Sequence, residues 1–268
     1  MEVSPALDRR LAAAPGAGAP SRAAETPEDL HPALWRASQV GRQRGDTVPS
    51  GFDELDAALP GGGWPAGVLT ELLLPHPGIG EIRLLAPALA GVQQRGVMLF
   101  DPPALPFGWA LHACGLDLQQ IYVVQSRAAL RGPARGLLPA ADVLWALEQS
   151  LKCGQLGAVL AWLPARLPAD ALRRLQLAAQ AHEGPAFLLR DESQRGKPSP
   201  APLRLLLRPG GPDELKVRLL KRRGPPLARP LVLGLPPVLS PPAREKALRS
   251  PAEGIAATPA ARHAAERR

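Results

Sequence analysis

The chain has 268 residues, which is enough for one α/β core with flanking segments, and 46% of them are hydrophobic, which indicates a packed domain. Its two cysteines, Cys114 and Cys153, belong to no C-x-x-C pair or His/Cys cluster, so the pattern excludes a disulfide framework and a structural zinc site. The net charge of +8 is concentrated after residue 189, where 17 Lys/Arg stand against 7 Asp/Glu. That surplus indicates either an anionic partner such as nucleic acid or solubilising charge on a tail.

The first 45 residues are predicted to lie outside the core. Residues 1–30 are rich in Ala, Pro and Gly, a composition typical of disorder. Residues 31–45 contain "HPALWRASQV", which predicts a short helix with Leu34 and Trp35 on one apolar stripe, and then a linker. Because an isolated helix cannot bury its own apolar stripe, we expect this helix to dock on the core of this chain or of a neighbouring copy, which would allow self-association. The N-terminus has no apolar run typical of a signal peptide or membrane helix, so we expect a cytoplasmic location and no membrane contact.

Residues 46–230 are predicted to form the core. A short helix at 51–60 and a glycine-rich turn precede an alternation of apolar strands and amphipathic helices. The strands are predicted at 68–74, 96–101, 121–125, 156–163 and 185–191, and the helices at 80–95, 107–116, 139–154 and 168–184. Pro87 is expected to kink the first of these helices or to end its first half. The alternation predicts an α/β fold with a mostly parallel, twisted sheet covered by helices on both faces.

The segment after the last parallel strand is predicted to form a β-hairpin. Residues 202–224, "PLRLLLRPGGPDELKVRLLKRRG", alternate apolar and polar residues on both sides of a Pro-Gly-Gly-Pro-Asp turn. The pattern fades from Pro225 onward. Residues 231–268, rich in Pro, Ala and Arg, are therefore predicted to be a disordered tail.

The stretch "LLLPHPGIGEIRLL" has the layout of a phosphate-binding loop, in which a strand, a Pro/Gly loop and a helix follow one another. Compared with G-x-x-x-x-G-K-[ST], the chain keeps Gly80 but has Pro75 where the first glycine belongs, and Gly78 lies between them. Glu81 stands in the lysine position, and Ile82 stands where a hydroxyl would bind Mg²⁺. This degenerate loop predicts that triphosphate binding is unfavourable and that the protein uses no nucleotide or metal cofactor.

Two interpretations of Glu81 follow from its position. Its carboxylate could form a salt bridge in place of a phosphate's partner, for example with Arg83. It could also be an N-terminal helix carboxylate that the helix dipole favours.

Beyond this loop, the chain resembles a known family. "VPSGFDELDAALPGGGWPAGVLTELL" resembles the start of the RecA core, and with "HPALWRASQV" upstream and the degenerate "HPGIGEIRLL" downstream the chain resembles ImuA. ImuA is the RecA-like accessory protein of bacterial mutagenesis cassettes, also labelled SulA-like. The resemblance covers residues 31 to about 230.

The resemblance implies a role in damage-induced (SOS) translesion DNA synthesis. The implied partners are ImuB and an error-prone polymerase of the C-family type, with RecA as a further candidate, and a nucleoid-associated location would follow. Direct DNA binding through the basic C-terminal part is also an expectation.

The RecA pattern further implies that the catalytic positions are lost. The strand at 96–101 is followed by Pro102 and Pro103, so Pro103 stands where RecA has a catalytic glutamate. The strand "GAVLAW" ends at Trp162, where the Walker B aspartate belongs. Without these groups, phosphoryl transfer lacks its electrostatic support, and we expect no ATPase activity and no catalytic residue.

The basic strand "KVRLLKRRGPP" resembles the RecA strand whose lysines reach a neighbour's ATP. Its Arg218, Lys221, Arg222 and Arg223 are candidates for contact with an acidic partner surface or with DNA phosphates. They could equally be charges on a solvated edge strand that prevent aggregation.

Two other functions remain open at this point. One is a divergent ATPase of RecA type, for which Arg83 is the basic side chain nearest the loop in sequence. The other is a cell-division inhibitor, as the SulA-like label suggests.

Overall fold

The computed structural model of the chain describes residues 46–126, 140–168, 170–211, 213–224, 227 and 229–249. The predicted N-terminal helix with Leu34 and Trp35, the disordered segment before it and the end of the tail after residue 249 lie outside these residues.

Within the described residues, the helices and strands follow the predicted alternation closely. The strands are β1 (Thr47–Val48), β2 (Trp64–Pro65), β3 (Leu69–Leu74), β4 (Val97–Phe100), β5 (Ile121–Val124), β6 (Ala158–Trp162), β7 (Ala186–Asp191), β8 (Leu203–Gly211), β9 (Glu214–Lys221) and β10 (Leu231–Gly234). The α-helices are α1 (Asp53–Ala58), α2 (Glu81–Val92), α3 (Gly108–Ala113), α4 (Ala140–Cys153), α5 (Ala171–Ala179) and α6 (Pro241–Arg249). Short 3₁₀ turns lie at Gln93–Arg95, Leu118–Gln120 and Glu192–Gly196.

Eight of these strands form one sheet in the order β10-β9-β8-β3-β7-β6-β4-β5. Neighbours from β8 to β5 are parallel, whereas β8 with β9 and β9 with β10 are antiparallel. The predicted α/β fold, with a mostly parallel sheet and a C-terminal hairpin, is confirmed. Strand β3 is central, which explains why all six of its residues are buried and why its sequence does not alternate.

The sheet separates two apolar layers, because successive side chains of a strand point to opposite faces. On β4, Leu99 belongs to the layer that contains Leu84 of α2, whereas Phe100 belongs to the layer that contains Leu147 of α4 and Leu175 of α5. Helices therefore cover both faces of the parallel part of the sheet, as the sequence predicts.

Pro87 does not end its helix, contrary to one of the two expectations for this residue. Helix α2 runs from Glu81 to Val92 with Pro87 inside it on an exposed position. The neighbouring backbone makes room for the ring at Gly51, where an added Cβ would lie 2.5 Å from the Cβ of Pro87. Gly51 has a φ of 83°, which a residue with a side chain rarely adopts.

The prediction of a disordered tail from residue 231 is wrong for residues 231–249. Strand β10 pairs with β9 and extends the sheet, and it buries Leu233, with Leu235 buried just beyond it. Helix α6 follows. The core therefore extends past residue 230, because the edge of β9 supplies hydrogen-bond partners that a proline-rich segment cannot supply to itself.

A buried ionic network joins β3 to both of its neighbours. Glu71 on β3 is 0% exposed, and its carboxylate accepts hydrogen bonds from Arg190 on β7 at 2.8 Å and from Arg204 on β8. Arg190 also donates to Gln194, and Arg204 donates to the carbonyls of Gln194 and Lys197. A buried carboxylate between two arginines is stable only while all three charges remain hydrogen-bonded.

His182 is a buried histidine near the start of β3, where its carbonyl accepts a hydrogen bond from Gly67. Burial, with the nearby positive charge of Arg95, lowers the pKa of His182 to about 4. The folded protein therefore keeps this imidazole neutral at pH values where an exposed histidine is protonated.

We predict that Glu71→Gln lowers the free energy of unfolding by roughly 3–5 kcal/mol, because it leaves two buried guanidinium groups without their counter-charge. Urea unfolding at neutral pH measures this loss. The control is Asp170→Asn, which removes a carboxylate from an exposed i,i+4 pair with Arg174 and should change stability by less than about 1 kcal/mol. Equal effects of the two substitutions would contradict the role of the network.

We predict that His182 makes the protein less stable in mild acid. The unfolded chain binds a proton near pH 6.5 and the folded chain only near pH 4, so stability is present above pH 6.5 and declines as the pH falls between these values. Between pH 7 and about pH 5.5 the contribution of this residue should fall by about 1 kcal/mol. Urea unfolding of wild type and His182→Gln at both pH values tests this, because the variant should lack that part of the decline. Exposed His76→Gln is the control, and an identical decline in wild type and His182→Gln would show that His182 is not responsible.

Candidate functional site

The loop between β3 and α2 is occupied by a side chain of the chain itself. Gly78 and Gly80 have φ angles of 87° and 112°, and these left-handed conformations direct backbone N–H groups into the loop. The N–H of Gly78 donates to Oε1 of Glu81 at 2.7 Å, and the N–H of Gly80 donates to Oε2 at 3.2 Å. Glu81 is the first residue of α2 and is only 3% exposed. Its carboxylate thus lies at a helix N-terminus among backbone donors, the environment that binds phosphate in nucleotide-binding loops.

This geometry favours one of the two interpretations of Glu81. The carboxylate is bound by the loop and lies at the positive end of the α2 dipole. Arg83, the other candidate partner, extends toward the C-terminal part of the chain and donates to Asp213 at 2.7 Å. Arg83 also donates to the carbonyls of Leu235 and Pro236.

The segment after β10 lies against the same loop. A Cβ added at Gly80 would be 2.6 Å from Cδ1 of Leu235, so this leucine packs directly on the loop backbone. Asp213, in the turn of the β8–β9 hairpin, holds the segment in place: its carbonyl accepts from the N–H of Leu235, and its carboxylate pairs with Arg83 and, at 2.6 Å, with Arg244 of α6. The loop is therefore filled by Glu81 and covered on one side by Leu235.

A cavity of about 590 Å³ lies beside the loop, at the carboxyl ends of β3, β4, β6 and β7. This edge of an open parallel sheet is where α/β proteins commonly bind ligands. The first residue of the degenerate loop, Pro75, lines the cavity. Ile82, at the position of the Mg²⁺-binding hydroxyl, instead packs against the apolar layer that contains α2.

The acidic side chains of this cavity, Asp101 and Asp191, both accept hydrogen bonds from neighbouring serines. Asp101, which has a φ of 48°, accepts from the N–H of Ser126 with Oδ1 and from its hydroxyl at 2.7 Å with Oδ2. Asp191 accepts from the N–H of Ser193, and hydrogen bonds from Ser193 lower the pKa of its carboxyl group. The lowered pKa makes the Asp191 carboxylate a weaker proton acceptor than a free carboxylate.

The two other positions assigned to lost catalytic groups also line the cavity. Trp162 is the last residue of β6, and Pro103 follows β4 by three residues. Parallel strands thus bring Pro75, Pro103 and Trp162 to one edge of the sheet, although they are distant in sequence. None of these three side chains can bind a metal ion or accept a proton.

The structure separates the four basic candidates of the hairpin. Arg218 is exposed on the outer face of β9, and Arg223 is exposed after its end. Lys221 donates to the carbonyl of Ser199. Arg222 donates to the carbonyl of Ala58, the last residue of α1. Carbonyls in the last turn of a helix have no partner within the helix, and Arg222 supplies one here. Lys221 and Arg222 thus make contacts within the fold.

Sequence reasoning missed Leu235, Asp213 and Arg244. The alternation of Leu231, Leu233 and Leu235 could have indicated a strand, but the prolines on both sides obscured it. Asp213 appears in the sequence as an ordinary turn residue, and its three contacts depend on tertiary structure.

The described part of the chain has neither a metal-ligand cluster nor a membrane-spanning helix. It contains no group of three or more His, Cys, Asp or Glu placed to hold a metal ion. None of its helices is both long and apolar enough to cross a membrane.

Comparison with known proteins gives a partial likeness. No protein-family model matches the chain, and no curated protein matches it. Among solved structures, the crystal structure of SulA from Pseudomonas aeruginosa is 26% identical, over a match that covers 47% of this chain and 98% of that chain, with a TM-score of 0.35. The fold and the site define a mixed α/β protein whose phosphate-binding-type loop is filled by its own carboxylate.

We predict that Glu81→Gln lowers the free energy of unfolding by about 1–3 kcal/mol, because the loop donors lose a charged acceptor and the N-terminus of α2 loses its negative charge. Urea unfolding measures the change. Glu54→Gln is the matched control, since Glu54 is an exposed acid in the first turn of α1, and it should cost less than about 1 kcal/mol. A Glu81→Gln protein as stable as wild type would show that the carboxylate does not hold the loop.

Proposed function

We propose that this protein is a non-catalytic adaptor, built on a RecA-like core, that acts in damage-induced translesion DNA synthesis with ImuB and an error-prone C-family polymerase. The resemblance to ImuA supports the pathway and the partners. The single observation that supports a protein without catalytic activity is the Glu81 carboxylate, which is bound by the N–H groups of Gly78 and Gly80.

Electrostatics explain why this carboxylate opposes nucleotide binding. A triphosphate entering the loop would have to displace a buried, hydrogen-bonded carboxylate or lie next to it. Two like unit charges 4 Å apart repel by about 4 kcal/mol at an effective dielectric constant of about 20. Glu81 itself occupies the position at which the phosphate-binding pattern has a lysine. Compared with that lysine, the glutamate removes an attraction to the phosphates and adds a repulsion.

The neighbouring groups add a second reason. Phosphoryl transfer needs a metal ligand and a base or positioning group for the nucleophile. Ile82 and Trp162 stand in the metal-binding positions of the pattern, and Pro103 stands in the position of the glutamate. Each carboxylate oxygen of the nearby Asp101 accepts a hydrogen bond from Ser126.

Exposed apolar side chains near the β5 edge of the sheet support a role in binding other proteins. Leu105, Phe107 and Trp109 lie in or just before α3, and Trp109 is 77% exposed. Tyr122 and Val123 on β5 are also exposed. Large apolar side chains left exposed in one region of a fold are a feature of interaction sites in soluble proteins.

We expect no ATP hydrolysis above background and no saturable ATP binding by the full chain. Steady-state hydrolysis and equilibrium binding with Mg²⁺ and ATP measure this, with Glu81→Gln and Gly80→Ala proteins as loop controls. Robust turnover that the loop substitutions abolish would overturn the proposal in favour of a divergent ATPase.

We expect purified ImuB to be captured by the full chain. The informative truncations begin at Asp46 and end at Arg249, because an end at Gly224 would remove β10 and the Asp213–Arg244 pair. If capture is lost only when residues 250–268 are removed, the contact lies in that segment. If neither the full chain nor any truncation captures ImuB, the adaptor role is contradicted.

Filamentation of cells on expression, without ImuB capture, would favour a cell-division inhibitor.

A further inference from the structure

The outer face of the β8–β10 ribbon, opposite the face that packs on α2, carries a set of basic side chains. Register places Arg208 of β8 directly opposite Lys216 of β9, and Arg218 follows two residues later on the same face. All three are exposed. We call Arg208, Lys216 and Arg218 the basic face.

The basic face places two like charges directly opposite each other across a strand pair. Directly opposed residues of antiparallel strands have Cβ atoms about 5 Å apart, and like charges in this position are destabilising. On the other side of β9, Val232 of β10 lies opposite Lys216 and offers no counter-charge. The nearby acids are Glu214, at the start of β9, and Glu192, which pairs with Arg208 at 2.9 Å. An exposed pair of that kind contributes about 0–1 kcal/mol and can be exchanged for another anion.

We propose that the basic face binds the phosphate backbone of duplex DNA. Cations about 5 Å apart across strands and about 7 Å apart along a strand can contact successive phosphates of one chain. The three strands of the ribbon contain no aromatic residue, so the face lacks the stacking platform that single-stranded nucleic acid uses. Its neutral side chains, such as Val232, offer no hydrogen-bonding group for base edges, which fits backbone contact without sequence readout.

The proposal refines the proposed function, on which its biological meaning rests, by giving the adaptor a direct contact with DNA. Of the four basic candidates from the sequence, it keeps only Arg218. Lys221 and Arg222 are engaged within the fold, whereas Arg208 and Lys216 join Arg218 on one face.

The test is fluorescence anisotropy of a labelled duplex of about 20 base pairs with the full chain over a range of salt concentrations. The Lys216→Gln/Arg218→Gln protein should bind roughly tenfold or more weakly at about 100 mM salt, and the slope of log K against log [salt] should become less steep by about 2, because two phosphate contacts are lost. Its thermal stability should not fall, because the substitutions relieve repulsion between exposed charges.

The matched control is Lys152→Gln/Arg173→Gln, which removes two exposed positive charges from α4 and α5. It should leave the affinity within about twofold of wild type and the salt slope unchanged. Equal loss in both double variants would indicate a response to net charge alone and would overturn the proposal. If both double variants bind DNA as well as wild type, any DNA contact lies elsewhere in the chain, and the proposal is likewise overturned.

ImuB capture by the same proteins separates the two proposals. Weakened DNA binding with intact capture is the expected result for Lys216→Gln/Arg218→Gln. Lost capture with unchanged DNA binding would make this face a protein contact and overturn the DNA proposal alone. Failure of the wild-type chain to capture ImuB, with salt-sensitive DNA binding through the basic face, would overturn the adaptor role alone.

Discussion

The interaction on which the site depends is the pair of hydrogen bonds that Gly78 and Gly80 donate to the carboxylate of Glu81. A loop with left-handed glycines before a helix concentrates unpaired N–H groups and a positive dipole in one place, and these groups require an anion. In a nucleotide-binding protein the ligand supplies that anion. Here the first residue of α2 supplies it, so the loop has its acceptor in the absence of any ligand.

The second constraint is the charge distribution around the central strand. Glu71 on β3 lies between Arg190 and Arg204, so the parallel sheet and the antiparallel hairpin meet at a buried ionic network. The network has one more positive than negative charge, and the same face of the sheet continues outward to Arg208, Lys216 and Arg218. The hairpin therefore contributes to the core through one face and presents cations through the other, a division that the alternation of β9 makes possible.

The C-terminal segment adds a contact between distant parts of the chain. Asp213 in the hairpin turn receives Arg83 from α2 and Arg244 from α6, and Leu235 packs on Gly80. The loop, the hairpin turn and the end of the described chain are thus mutually dependent. This dependence means that a truncation in the region first expected to be a tail would also disturb the loop.

Local pattern was sufficient for most of the core. Apolar runs and helical periodicity located β3 to β9 and α1 to α5, because burial on both faces of a parallel sheet leaves continuous apolar strands. Gly80 and Glu81 marked the loop and its missing lysine.

The sequence could not decide where the Glu81 carboxylate lies, since two local partners were plausible and only the loop conformation selects the glycine N–H groups. It also left β10 unrecognised, because a short proline-flanked segment becomes a strand only when β9 presents its edge. Pairing across strands likewise decided which basic residues share a face: Arg208 and Lys216 are eight positions apart in sequence, and the hairpin register brings them opposite each other.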